Sequence, residues 1–147
     1  MSPYLVKIKK IRADAQVPHY AHFGDSGADL FSVEETTLAP MQRKAVGTGL
    51  CAEVPHGFEL QVRPKSGLAL KYGLTVLNTP GTIDFGYRGE IKVILINLSD
   101  QPYKIEKNQK IAQLVVASVA YAEFQEVTEL TDTSRGEGGF GSTGLNK

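Results

Sequence analysis

The sequence has one cysteine, no tryptophan, no excess charge of either sign and no long apolar run. Its single cysteine, Cys51, excludes an internal disulfide framework or a cysteine-rich metal site, and fits a reducing compartment. The 16 Lys and Arg residues balance 16 Asp and Glu residues. No global field therefore attracts nucleic acid or an anionic membrane. The longest apolar run, near Leu114 to Ala117, is far below the roughly 18 residues of a membrane helix.

The N-terminal stretch places lysines among its apolar residues and has no extended apolar block, so we expect no secretory signal. The length of 147 residues suits one domain. We therefore expect a soluble, cytoplasmic, single-domain protein.

Apolar residues recur mainly at every second position, which is typical of β-strands. Phe58, Leu60 and Val62 alternate with polar residues, and similar segments rich in β-branched residues occur at 6–11, 74–77, 91–96, 111–116 and 124–127. Turn residues separate these segments, so the pattern predicts an all-β sandwich, jelly roll or barrel. Two segments, 91–96 and 114–119, are apolar on both faces. The second apolar face of each segment could be buried by another subunit or by the sandwich itself.

The segment Pro64 to Gly73 offers a hydroxyl, an ammonium group and backbone amides at the start of the one short helix we predict, Ser66 to Tyr72. These groups together could bind an anion. The upstream glycines of a P-loop are missing, and Ser66 lacks the sequence frame of a nucleophile. The alternative interpretation of Ser66 is a helix N-cap, with Gly73 as the C-cap.

The segment Asn78 to Val93 combines turn residues, a carboxylate, an aromatic ring and a strand. We interpret it as a β-hairpin whose rim presents Asp84 and Tyr87. An aspartate in a turn usually caps its own backbone, and a tyrosine usually lies half-buried on a sheet. The conjunction of the two favours a functional role. His19 and His22 have no neighbouring ligands in a metal-binding spacing.

The C-terminal segment, residues 131–147, is dominated by Gly, Ser and Thr, which is typical of a mobile tail. Its glycines have dinucleotide-fingerprint spacing but follow no βαβ unit, so a Rossmann site is not expected. The glycines, Arg135 and Phe140 would suit a flap that closes over a flat, phosphorylated ligand. A tail without function is the alternative.

Five segments, in order along the chain, make the sequence resemble the trimeric deoxyuridine triphosphatases, the dUTP diphosphatases. They read SGADLFS, PKSGLA, NTPGTIDFGYRGEIKV, NQKIAQLVV and RGEGGFGSTG, at 26–32, 64–69, 78–93, 108–116 and 135–144. The resemblance implies a β jelly roll at 1–130 and a flexible arm at 131–147. It further implies a homotrimer in which the arm of one chain closes an active site built by others.

The resemblance also implies hydrolysis of dUTP to dUMP and pyrophosphate, with Mg²⁺ held mainly by the triphosphate. Asp84 matches the carboxylate that orients and deprotonates the attacking water. Tyr87 matches the ring that packs against the deoxyribose and excludes a 2′-hydroxyl. The residues that match the uracil-binding segment are Asn78, Gly81, Thr82, Ile83 and, from the return strand, Lys92.

The remaining site residues also follow from the resemblance. The phosphate contacts are matched by Lys65, Ser66, Gly67 and Gln113. Asp29 matches a carboxylate that lies near the metal and its waters without binding the metal directly. In the arm, Arg135 would bind the γ-phosphate, and Phe140 with Gly141 would close over the uracil.

Two residues depart from the family pattern. Lys65 stands where an arginine is usual, which keeps the charge but loses the bidentate fork. Gly86 stands where a second aspartate is usual. The alternatives to dUTP hydrolysis are a dCTP deaminase, for which no suitably placed glutamate is evident, and a non-catalytic trimer that binds dUTP as a signal.

Overall fold

Short strands dominate the computed structural model, which describes residues 4–142. Their boundaries follow the alternation in the sequence, and Gly or Pro residues lie in many of the links between them. The strands and the one helix of this part of the chain are β1 Lys7–Lys10, β2 Ala28–Phe31, β3 Thr36–Leu38, β4 Arg43–Glu53, β5 Phe58–Arg63, α1 Ser66–Tyr72, β6 Leu74–Val76, β7 Gly81–Ile83, β8 Glu90–Asn97, β9 Tyr103–Ile105 and β10 Lys110–Ser118.

Two four-stranded antiparallel sheets and a small two-stranded sheet form the fold. The first sheet has the order β1-β4-β8-β6, the second has the order β2-β10-β5-β7, and β3 pairs with β9. Aliphatic side chains from both large sheets form one core cluster. Its fully buried members include Leu30, Leu50, Leu60, Leu95 and Ile111. The predicted all-β class is confirmed.

The alternation in β5 positions its side chains as expected, with Leu60 and Val62 buried and Arg63 exposed. The two strands that are apolar on both faces, β8 and β10, lie inside their sheets rather than at an edge. One chain already covers most of both strands, and Ile94 and Val116 stay half-buried.

The predicted helix is confirmed with the expected bounds, and Gly73 ends it with a left-handed φ of 64°. The interpretation of Ser66 as its N-cap is wrong. Lys65 occupies the N-cap position and makes no capping bond through its side chain, while Ser66 is the first helical residue. The Ser66 side chain is therefore exposed at the start of the helix rather than used to cap it.

The interpretation of Asn78 to Val93 as one hairpin is wrong. β7 pairs with β5 and β8 pairs with β4 and β6, so the two halves of the segment belong to different sheets. Residues 84–89 carry the chain across from one sheet to the other. The alternation that predicts strands cannot tell a hairpin from such a crossing, because both need a turn between two strands.

The strand predicted at 124–127 is also absent from the described residues. Phe124 is 94% exposed, and no strand within residues 4–142 pairs with this segment. An apolar segment without a neighbouring strand edge has no ladder to join. No helix within residues 4–142 is long and apolar enough to cross a membrane.

The chain leaves the sandwich after β10, where the Val119 N–H donates to the Gly57 carbonyl at 2.9 Å. From residue 120 to 142 the chain forms no helix or strand. Hydrogen bonds in this stretch are local, such as Arg135 Nε to the Gly138 carbonyl at 2.8 Å. The domain boundary at 130 and the flexibility of the arm stay predictions, and positions 143–147 of that arm lie outside the described residues.

A buried amide joins the small sheet to the end of β8. Asn97 is fully buried, and its Nδ2 donates to the carbonyls of Leu38 at 3.0 Å and Gln101 at 2.7 Å. Its Oδ1 accepts from the backbone and the hydroxyl of Ser99. All four hydrogen-bonding positions of this side chain are therefore used.

We expect Asn97→Ala to lower the free energy of unfolding by about 2–4 kcal/mol, because it leaves buried carbonyls without donors. Chemical denaturation followed by circular dichroism measures this loss. Gln101→Ala, at an exposed side chain of the same turn, is the control and should change stability by less than about 0.5 kcal/mol. Equal losses in the two variants would contradict the role of the Asn97 amide.

Candidate functional site

A polar cavity of about 330 Å³ opens where β2, β10 and the start of α1 meet. It is lined by Ala21, Asp25, Ser26, Gly27, Asp29, Lys65, Lys110 and Gln113. Three of these residues, Asp29, Lys65 and Gln113, are predicted site residues from three different sequence segments. The fold therefore brings parts of the first, second and fourth segments together.

A buried carboxylate organises the cations of this cavity. Asp29 is only 4% exposed, and its Oδ1 accepts from Lys65 Nζ at 2.5 Å while Lys110 Nζ lies 2.6 Å from Oδ2. Burial alone would raise the pKa of Asp29, but the two ammonium groups outweigh it and lower that pKa below its ordinary value. The carboxylate therefore stays ionised and holds two lysines at the cavity.

Gln113 fixes the floor of the cavity. It lies opposite Asp29 in the β2–β10 pairing, and its Nε2 donates to the Pro64 carbonyl at 2.9 Å. A Cβ atom at Gly27 would overlap with the Gln113 side chain, so this close approach needs a glycine. The amide thus joins β2, β10 and the turn that leads into α1.

The start of α1 borders the cavity with exposed groups. Ser66 and Gly67 are exposed, and no atom lies within 4 Å of a Cβ built on Gly67. Space for a ligand therefore exists beside the backbone of these two residues. Next to them, the Lys65 side chain is 29% exposed, which leaves its ammonium accessible from the cavity.

A second group of predicted residues lies on β7 and the loop after it. Gly81 and Ile83 are buried, while Asn78, Thr82 and Asp84 are exposed. A Cβ at Gly81 would lie 3.3 Å from Asn78 Nδ2, so the glycine lets this amide approach the strand. β7 is an edge strand, paired with β5 on one side only. Its other edge therefore presents unpaired backbone donors and acceptors.

Local hydrogen bonds hold the loop 84–89. The Tyr87 N–H donates to the Asp84 carbonyl at 3.0 Å, and Arg88 Nη1 donates to the Phe85 carbonyl at 2.7 Å. The Tyr87 hydroxyl donates to the Glu90 carbonyl at 3.0 Å. These contacts give the loop that carries Asp84 and Tyr87 a defined shape although it is exposed.

The two groups do not meet within one chain. On β5, Arg63 lies opposite Gln113 and Leu60 lies opposite Ile83. These positions differ by about 10 Å along the strand and about 10 Å across the sheet. Asp84 continues away from the cavity, because β7 runs antiparallel to β5.

The predicted arm residues and Lys92 lie outside both groups. Phe140 is fully exposed, and Gly141 adopts a positive φ of 91° in the same turn. The Arg135 guanidinium donates to the Gly138 carbonyl, within the arm. Lys92 lies 3.6 Å from Glu90 in a smaller cavity on the first sheet.

Sequence reasoning missed Lys110, although it lies within the fourth segment. Strict alternation places residues 110 and 113 on opposite faces of a strand. The β2–β10 register shifts between Lys110 and Ala112, and this irregularity turns Lys110 toward Asp29. Its charge three residues before Gln113 was the only available signal.

The donor set fits a magnesium ion that takes most of its ligands from a substrate. No cluster of three or more His, Cys, Asp or Glu side chains that could hold a metal occurs within residues 4–142. Two carboxylates line the polar cavity, the buried Asp29 and the exposed Asp25. Mg²⁺ commonly binds through one or two carboxylates, water and substrate phosphates, which matches this arrangement.

These features define an all-β protein with a polar cavity lined by two lysines. The dUTPase family model matches residues 13–144, and the chain belongs to the dUTPase family. Among curated relatives, the deoxyuridine 5'-triphosphate nucleotidohydrolase of Clostridioides difficile is 55% identical over 142 residues, covering 97% of this chain and 99% of the relative. The enzyme of the same name from Clostridium novyi (strain NT) is 56% identical, covering 94% of this chain and 97% of the relative.

Solved structures share the fold. A mutant dUTPase of Staphylococcus bacteriophage 80alpha with dUpNHpp superposes with a TM-score of 0.89 at 27% identity, covering 97% of this chain and all of the other. A mutant dUTPase from phage phi11 of S. aureus, described with a structural Mg(II) ion, has a TM-score of 0.80 at 22% identity, covering 88% of this chain and 100% of the other. The predicted dUTPase-like fold is confirmed.

We expect Asp29→Asn to lower the free energy of unfolding at pH 7 by about 2 kcal/mol, since two lysines lose their carboxylate. The pKa of Asp29 is lowered in the folded state. Its stabilisation is therefore present above the unfolded-state pKa of about 3.9 and is lost as the pH falls through the folded-state value. Denaturation of both proteins between pH 7 and pH 3 measures this dependence.

Asp14→Asn is the matched control, because Asp14 also pairs with two cations, Arg12 and Lys107, but on the surface. The hydrogen bond from Arg12 lowers the pKa of Asp14 as well. Solvent screens this exposed pair, so the loss at pH 7 should be smaller. A loss as large as that of Asp29→Asn would show that burial adds nothing.

Proposed function

We infer that this chain is a dUTP diphosphatase, which hydrolyses dUTP to dUMP and pyrophosphate. The observation that carries this conclusion is the polar cavity with two lysines on a buried carboxylate, in a chain of the dUTPase family. The products give the reaction two uses in a cell. It limits the incorporation of uracil into DNA, and it supplies dUMP for dTMP synthesis. We propose a cytoplasmic location, where such nucleotides are free.

The cavity supplies the phosphate contacts. Lys65 and Lys110 approach from either side of Asp29, so two ammonium groups lie where phosphate oxygens could bind. Ser66 and Gly67 lie exposed beside them, where a hydroxyl and backbone amides can donate to phosphate oxygens. Gln113 contributes its amide from the floor of the cavity. These groups would position the α- and β-phosphates.

The attacking water is assigned to Asp84. Its carboxylate is exposed on the loop after β7, where it can accept a proton from a water molecule that faces the α-phosphorus. An ionised aspartate is a weak base, so orientation of the water supplies much of the effect. The hydrogen bonds from Tyr87 and Arg88 across the loop support that orientation.

The uracil is assigned to the open edge of β7. Backbone groups at Gly81, Thr82 and Ile83 lie on an edge strand, so this edge can pair with a base as another strand would. Asn78 adds its side-chain amide. Cytosine presents the opposite donor and acceptor at the same edge, which would leave buried polar groups unpaired. Lys92 is assigned to the same base region.

Tyr87 is assigned to the sugar. Its ring is 46% exposed beside Asp84, which places an apolar wall next to the reacting group. A deoxyribose can pack against this ring, whereas a ribose would bring its 2′-hydroxyl into it.

Magnesium is assigned to the phosphate cavity. The ion would be held mainly by triphosphate oxygens and water, with the carboxylates of Asp29 and Asp25 in the same cavity. When bound, it neutralises phosphate charge and so favours attack on the α-phosphorus. The lysines that face Asp29 can turn to the phosphates at the same time, because both are partly exposed.

We propose that the protein is a homotrimer with shared active sites. The separation of Asp84 from the cavity within one chain supports sharing, because a complete site then needs a second copy. The arm of a further copy would close the site, with Arg135 on the γ-phosphate and Phe140 and Gly141 over the uracil. The exposed Phe140 ring is available for such stacking.

The two departures from the family pattern are compatible with this reaction. The Lys65 ammonium keeps a positive charge at the cavity. A Cβ at Gly86 would meet no atom within 4 Å, so this position tolerates a change of side chain. A dCTP deaminase would need a free glutamate, but Glu90 Oε1 already accepts from the Gly49 N–H at 2.9 Å.

We expect Asp84→Asn to reduce dUTP turnover between about a hundredfold and ten-thousandfold while dUTP still binds, because only the acceptor of the water proton is lost. Pyrophosphate and ammonia release from dUTP, dCTP, dTTP and UTP with Mg²⁺ measures the reaction. Pyrophosphate should come from dUTP alone. Asp100→Asn, in an exposed turn, is the control and should keep full activity.

Ammonia from dCTP would contradict the assignment in favour of a deaminase. Binding of dUTP without turnover in the unchanged chain would favour a regulatory trimer instead. Full activity in Asp84→Asn would remove that residue from the mechanism while leaving the reaction in place.

A further inference from the structure

The position of the Tyr87 ring depends on the lack of a side chain at Gly89, two residues further along the chain. Its hydroxyl donates to the Glu90 carbonyl at 3.0 Å, so the ring folds back over Gly89. A Cβ built on Gly89 would lie 2.5 Å from Tyr87 Cζ, closer than unbonded carbons approach each other. The φ of Gly89 is outside the left-handed region, so its backbone conformation alone would accept other residues. The absence of a Cβ is thus needed for the ring.

The carbonyl that receives the Tyr87 hydroxyl is itself held in place by the Glu90 side chain. The β4–β8 pairing is interrupted by a bulge between Gly47 and Cys51. Inside this bulge, the Gly49 N–H donates to Glu90 Oε1 at 2.9 Å. A Cβ at Gly47 would lie 2.8 Å from the same oxygen, so the carboxylate fills a closely fitting space. Glu90 therefore anchors the end of the loop to β4.

We propose that Gly89 and Glu90 are positioning residues for sugar selection, which seat the Tyr87 ring so that a ribonucleotide is excluded. This inference rests on the proposed function, in which Tyr87 faces the sugar. A ring on an exposed loop excludes a 2′-hydroxyl only if it cannot turn aside at little cost. The ring fills the space over Gly89, and its hydroxyl is bonded to the Glu90 carbonyl. These two contacts would keep the ring from turning aside.

Gly89→Ala directly tests whether the Tyr87 ring needs the space over Gly89, and Gly86→Ala is the matched control. Both change one glycine to alanine in the same loop, but a Cβ at Gly86 meets nothing within 4 Å. The measurement is kcat and KM for dUTP and for UTP in the full-length protein with Mg²⁺. We expect Gly89→Ala to lower the ratio of kcat/KM for dUTP to kcat/KM for UTP by about tenfold, since the ring loses its hydrogen bond and its position.

The fall in kcat/KM for dUTP in Gly89→Ala should come from a higher KM more than from a lower kcat, because Asp84 is unchanged. Gly86→Ala should keep the ratio within about twofold. An unchanged ratio in Gly89→Ala, or an equal change in Gly86→Ala, would overturn the proposal.

If Gly89→Ala does not fold, a pair of variants at Glu90 tests the positioning of the Tyr87 ring. Glu90→Ala removes the acceptor of the Gly49 N–H, whereas Glu90→Gln keeps an oxygen that can accept it. We expect Glu90→Ala to lower the dUTP-to-UTP ratio and Glu90→Gln to restore most of it. Ratios equal to that of the unchanged chain in both variants would overturn the role of Glu90.

Failure of the inference differs from failure of the proposed function. If the unchanged chain hydrolyses neither nucleotide, the proposed function is wrong and the inference falls with it. If the unchanged chain hydrolyses dUTP but no variant at 89 or 90 alters the ratio, only the positioning role is wrong.

Discussion

The geometry of one strand, β5, determines how this protein can work. Its C-terminal end leads into the turn that carries Lys65, whereas Leu60 pairs with Ile83 at the end of β7, from which the chain continues to Asp84 and away from that turn. A β-strand is stiff and rises about 3.3 Å per residue, so these two ends cannot approach each other. The phosphate cavity and the carboxylate assigned to the water are therefore held apart in every single copy. In the proposed trimer, a second copy of the chain would complete the site.

Charge and packing support one another at the cavity. A buried carboxylate would cost stability if it were unpaired, and two lysines would repel one another without it. Asp29 resolves both problems by holding Lys65 and Lys110 on either side. The result is a pair of ammonium groups held at one cavity in a chain whose total charge is zero. The proposed phosphate binding would depend on this local placement, because the composition is neutral.

Much of the fold could be predicted from the sequence, because alternation and turn residues act locally. The strand at Phe58 to Val62 and the helix ending at Gly73 follow directly from these local signals. The crossing at residues 84–89 could not be predicted, because pairing partners are chosen by the whole sandwich and not by the turn. The exposed segment around Phe124 shows the same limit, since β-propensity forms no strand without a partner.

The candidate site likewise contains residues that could be predicted from the sequence and residues that could not. Asp29 and Gln113 could be assigned from their segments, and the fold places them opposite each other. Lys110 could not, because an irregular register alters which face it occupies. The position of the Tyr87 ring could not be predicted either, because the sequence identifies Gly89 only as a turn residue and does not show that the ring lies above it.

The most direct test of shared sites mixes two inactive variants. Asp84→Asn lacks the carboxylate and Lys65→Met lacks a phosphate contact, so trimers of either variant alone should have little dUTP hydrolysis. Coexpressed with two different tags and purified through both, the mixed trimers should regain activity. In each trimer that contains both variants, about one third of the sites would combine an intact Asp84 from one copy with an intact Lys65 from another. Mixed trimers no more active than the separate variants would contradict this account and place a complete site within one chain.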